Sequence, residues 1–107
     1  MADVLKVAFF KVNDDNAEHD VLAVTSGHTY TVLSVSICDR DVGGNFNLYI
    51  RDDAGADDYH LYSSQSLPDN ATFIHNDKFV MMTTDTLAIK FDVANTAHVI
   101  VSYLDQN

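Results

Sequence analysis

Residues 86–93 constrain the chain more than any other stretch. Leu87, Ile89, Phe91 and Val93 alternate there with Thr86, Ala88, Lys90 and Asp92, and a period of two is that of a strand with one oily face. Burying each of those side chains is worth about 1.5–3 kcal/mol, so the face needs a covering layer. The 107 residues hold no 3.6-residue repeat long enough to supply that layer as a helix. The cover must be a second sheet made from the rest of the chain.

The remaining segments read as the strands of such a sandwich. Residues 3–12 are apolar on both faces for part of their length, which predicts a strand buried on both sides or set at a subunit contact. Residues 13–20 collect Asn, Asp and His and read as a loop. A short strand over 20–25, a Ser26-Gly27 turn and a long Thr- and Val-rich strand over 28–38 suggest a hairpin, with Leu33, Val35 and Ile37 sharing the inner face of the second strand. Residues 45–52 carry Phe46, Leu48 and Ile50 inward and return through a turn around Gly55 into 58–63, a second hairpin.

Residues 64–70, with Pro68, pass the chain from one sheet to the other. Residues 71–75 and 78–82 read as two short strands or one kinked at Asn76-Asp77, and bring Phe73, Ile74, Phe79, Val80, Met81 and Met82 as core bulk. The last strand, 97–104, opposes Val99, Val101 and Tyr103 to His98, Ile100, Ser102 and Leu104, so its second face is apolar enough to predict cover on both sides. Eight or nine antiparallel strands spaced by about 8–12 residues make one all-β domain over 1–107, a β-sandwich of jelly-roll or Greek-key type.

Charge narrows the function. Sixteen acidic against six basic residues give a net charge of −10, which repels a phosphate backbone, so nucleic acid is not an expected partner. The acids gather in turns, as on a solvated rim. Cys38 is the one cysteine and can form no internal bridge. Met1-Ala2-Asp3 is acidic where a secretory leader is basic, and no stretch reaches the roughly 18–20 apolar residues of a membrane span. These features predict synthesis in the cytoplasm and no membrane association.

Catalytic spacing is missing. His19, His28, His60, His75 and His98 fall in no metal-binding pattern, and no Gly-x-Ser-x-Gly elbow occurs. Neither an enzyme nor a cofactor nor a metal is expected. The loops around Gly43-Gly44 and Gly55 carry enough carboxylates to interest calcium, but they lack the spacing of a calcium loop and read as acidic turns. Contact residues are the better prospect. Tyr49, Tyr59 and Tyr62 cluster with His60 on the 45–63 hairpin, and tyrosine is favoured at interfaces. The two-faced strands add Val4, Val7, Phe9, Ile100 and Leu104, since a domain of this size has little interior left to cover a second face. A homo-oligomer is the expectation.

Three segments resemble a known family. Residues 22–37, with their strand, Ser26-Gly27 turn and long Thr- and Val-rich strand, resemble the opening of small β-sandwich virion proteins of tailed bacteriophages. Leu67-Pro68 followed by 79–89 is similar to their central Leu-Pro segment, with Thr84-Asp85 where the family has Gly-Asp; 99–104 resembles their closing strand. The resemblance implies a structural protein of the virion: a capsid decoration, or cement, protein that binds and stabilises the head. The alternative it implies is a neck, tail or fibre component with a receptor- or glycan-binding role. It further implies the major capsid protein or other virion proteins as partners, and a homotrimer.

Overall fold

The computed structural model describes residues 3–52 and 57–107. They form nine strands: β1 (Asp3–Asp15), β2 (His19–Ala23), β3 (Thr29–Asp39), β4 (Gly44–Arg51), β5 (Asp58–Leu67), β6 (Thr72–His75), β7 (Phe79–Met81), β8 (Thr86–Phe91) and β9 (Asn95–Gln106). The first sheet has the order β1-β9-β3-β6, with β7 also paired to β3; the second has the order β2-β8-β4-β5. All pairs are antiparallel. This order is that of a jelly roll in which β6 and β7 share one strand position.

The opening alternation does what its pattern demands. Leu87, Ile89 and Phe91 point into the core, where they meet Phe46 and Leu48 of their own sheet and Val32, Val35, Ile37, Val99 and Val101 of the other. β8 stops at Phe91, however, and Val93 is exposed. The carboxylate of Asp92 accepts the N–H of Asn45 at 3.1 Å, and the chain turns away there toward β9.

Three expectations are corrected. β2 and β3 are not a hairpin: β2 pairs with β8 and β3 with β9. The Ser26-Gly27 turn, with Gly27 at φ +84°, carries the chain across to the other sheet, where β3 finds in 12-residue β9 a fuller partner than 5-residue β2. Leu33 does not share a face with Val35 and Ile37. A register shift between Val32 and Ser34 inserts an extra residue, so the buried set is Tyr30, Val32, Val35 and Ile37. Ile74, Val80 and Met82 are exposed, because the alternation of β6 and β7 sends Phe73, His75, Phe79 and Met81 inward. The 45–63 hairpin forms as β4 and β5, the latter running on to Leu67; residues 53–56 of its turn lie outside the described residues.

Each end of the sandwich is closed by a carboxylate of the first sheet. At one end the buried Asp39 accepts the backbone N–H groups of Asp41, Gly43 and Asn70 at 3.2, 3.1 and 3.0 Å and the side-chain amide of Asn95 at 2.7 Å. Burial pushes its carboxyl up, but those donors together outweigh it and hold the group below the usual carboxylate value. The loop read as a possible calcium loop is thus organised around a carboxylate whose oxygens are taken by N–H donors. Gly43 sits there at φ +76°, with a hypothetical Cβ only 2.7 Å from the backbone nitrogen of Asp69, so no other residue fits without a shift.

At the other end Asp105 accepts from Lys6 Nζ at 2.8 Å and lies 2.6 Å from His28 Nδ1. The rings of Tyr30 and Tyr103, 4.7 Å apart, pack beside it.

Candidate assembly surface

Register decides which side chains share the outer face of the first sheet, because residues directly opposite each other in an antiparallel pair point the same way. Leu5 stands opposite Leu104, Leu104 opposite Thr31, and Thr31 opposite Val80. Phe9 stands opposite Ile100, Ile100 opposite Ser36, and Ser36 opposite Ile74. Two rows therefore cross the sheet from β1 to its far edge, apolar except for Thr31 and Ser36 on β3. Between them runs a row of Val7, Ser102 and Ser34.

These side chains face outward. Phe9 is 74% exposed, Leu5 70% and Val7 50%; Ile74, Val80 and Ile100 are exposed as well, and Leu104 is half-buried. A shallow groove lined by Phe9, Phe10, Lys11, His98, Val99 and Ile100 opens beside the second row. β1 is exposed on its inner side too. It is 13 residues long and lies at the sheet edge, whereas β2 in the facing sheet has only five, so Val4 projects past the cover. The expectation of cover on both faces thus meets a strand that the chain itself leaves open. Monomeric proteins rarely show contiguous apolar area of this kind unless it is used.

The outer face of the second sheet is finished by its own residues. Tyr49 is only 3% exposed, its ring 4.9 Å from that of His60 and its hydroxyl donating to Glu18. Burial, with the Glu18 carboxylate beside it, pushes the Tyr49 hydroxyl well above the ordinary phenol value. Arg51 donates to Asp20 at 3.2 Å and to Glu18. Tyr62 lies between the sheets, its hydroxyl 2.7 Å from Nδ1 of the buried His75. Of the tyrosines on this hairpin only Tyr59 is strongly exposed.

Of the eight residues picked from sequence, the fold brings Val7, Phe9, Ile100 and Leu104 onto one face, with Val4 on the reverse side of the same edge strand. It sets Tyr49, Tyr59 and Tyr62 apart on the second sheet. Leu5, Ile74 and Val80 were not picked. Leu5 was legible from its odd-numbered spacing with Val7 and Phe9; the others needed the register. The histidines sit in separate settings: His19 pairs with Asp15 at 2.6 Å, His28 with Asp105, His60 stacks on Tyr49, His75 meets Tyr62, and His98 is exposed on the outer face. Among the described residues no three His, Cys, Asp or Glu side chains gather as metal ligands.

No family model and no curated protein sequence matches the chain. Solved structures share its fold. One is a chain in the acidic stable capsid structure of Helicobacter pylori bacteriophage KHP30, with a TM-score of 0.59 and 10% identity over 99% of this chain and 92% of that one. A second belongs to Bacillus endospore appendages described as disulfide-linked pili, with 0.56 and 11% over 98% and 88%. A third is the Drosophila NLP core, described in terms of pentamer formation and histone binding, with 0.52 and 9% over 99% and 98%. At these identities the likeness is one of fold.

Proposed function

We propose that the chain is a non-enzymatic structural protein of a phage particle, a capsid decoration protein that binds the head through the outer face of its first sheet and self-associates along the same sheet. The observation that carries this reading is the pair of exposed apolar rows, Leu5–Leu104–Val80 and Phe9–Ile100–Ile74. A face of that composition is costly in water and gains by being covered. The capsid neighbour supports the choice of partner, because the alignment spans nearly the whole of both chains. Those described as pilus and pentamer-forming proteins support self-association as a use of the fold. The buried Tyr49 and the half-buried Tyr62, both internally bonded, leave the hairpin little aromatic surface for a glycan, which weighs against an adhesin.

Deleting the gene from the genome that carries it tests the reading. Particles lacking the protein should assemble and adsorb normally but lose infectivity at least tenfold faster on heating or osmotic shock, and purified protein should restore them. Normal resistance with lost adsorption would overturn it in favour of a tail or fibre role.

A further inference from the structure

We propose that β1 pairs with β1 of a second copy, antiparallel about a two-fold axis through Val7, so that two first sheets join into one. This rests on the reading of the chain as a self-associating shell component and names the contact. Among the described residues, β1 gives the first sheet one edge with a long uninterrupted strand; the other edge is split between four-residue β6 and three-residue β7. Its far side carries a row of backbone N–H and C=O groups that no strand among the described residues pairs, a template for another strand.

The side chains of β1 select the register. Only its regular part, before the shift between Val12 and Asp15, can continue a ladder. With Val7 opposite its own copy, Asp3 stands opposite Lys11 twice, Leu5 opposite Phe9 twice, and Val4 opposite Phe10 twice. Charge meets charge and apolar meets apolar at every cross-strand position that matters. Moving the axis to Lys6 sets two lysines face to face; moving it midway between Ala8 and Phe9 sets Lys6 against Lys11 and Asp3 against Asp14.

An inward lysine on an edge strand ordinarily blocks such pairing. Here Lys6 already has its charge met by Asp105 at 2.8 Å, and the residue opposite it in the pair is the small Ala8. The joined sheet covers Val4 and extends the outer apolar rows across both copies, leaving Ile100, Ile74 and Val80 for the shell. Two-fold pairing closes at two copies, not at the three that the family resemblance implies.

Light scattering on the purified protein at micromolar concentrations tests this. The expected mass is twice that of the 11.9 kDa chain. Asp3→Lys or Lys11→Asp alone puts like charges opposite each other and should raise the dimer Kd about tenfold, while the double exchange restores it. Both residues are exposed, so circular dichroism should be unchanged in all three variants. A monomer, a trimer, or single exchanges that leave the mass unaltered would overturn the pairing. None of these results touches the head-binding reading, which the deletion particles decide.

Discussion

The two sheets of this sandwich have opposite outer faces. On the second, Tyr49 packs its ring against that of His60 and is tied to Glu18, while Arg51 holds Glu18 and Asp20. On the first, Leu5, Val7, Phe9, Ile100, Ile74 and Val80 are exposed. Both sheets send apolar side chains into one shared core. What differs is which face the chain completes by itself, and the incomplete one is where a partner gains most.

That contrast can be broken at Phe9. Phe9→Asp removes an exposed aromatic that stands opposite Leu5 in the proposed contact, so self-association and head binding should weaken about 100-fold or more. The chain's own melting temperature should move little, because the ring is mostly in water already. Sedimentation of the variant with particles, beside a thermal melt, checks both halves. Loss of fold without loss of association would reverse the assignment.

Tyr49→Ala is the mirror experiment. It empties a buried site on the completed face and should cost about 3 kcal/mol of folding stability with association unchanged. Urea unfolding and light scattering measure the two. A stable but dissociated variant would move the contact to the second sheet.

Acid should act on the first sheet. Asp39 on β3, Asp105 on β9 and Asp15 on β1 are all held below the ordinary carboxylate value: Asp105 by hydrogen bonds from Lys6 and His28, Asp15 by its bond to His19, and Asp39 by its N–H donors against burial. A depressed carboxylate adds stability above its unfolded value of about 4, and that share is lost as pH falls through the folded value. Melting temperature should therefore decline below about pH 4. Hydrogen exchange should rise in β1, β3 and β9 before β4 and β8. Simultaneous loss in both sheets would blur the distinction.

The smallest effect is expected at Arg51. Arg51→Ala breaks exposed ion pairs worth about 0.5 kcal/mol each, and should shift the urea midpoint only slightly while leaving association intact. A large loss would mean that the second face depends on its charges more than on Tyr49.

Much of the fold is legible in the sequence. Alternation in 86–93 and 97–104 named Leu87, Ile89, Phe91, Val99, Val101 and Tyr103 as core, because a pleated strand sorts its side chains by parity alone, and it missed at Val93, beyond the end of β8. Parity failed at Leu33, where one inserted residue reversed the faces, and at Ile74 and Val80, whose strands were too short to show a pattern. It could not tell that Tyr49 would be sealed by Glu18 from 31 positions away.

Local alternation thus determined that this chain folds as layered β-sheets, since period-two hydrophobicity has no other way out of water. Tertiary structure alone decided that β2 crosses to β8 instead of folding back on β3, and that Phe9, Ile100 and Ile74 line up as one exposed row. Strand pairing is a contest among distant segments for the longest ladder and the best-covered face, and no single segment carries the result of that contest.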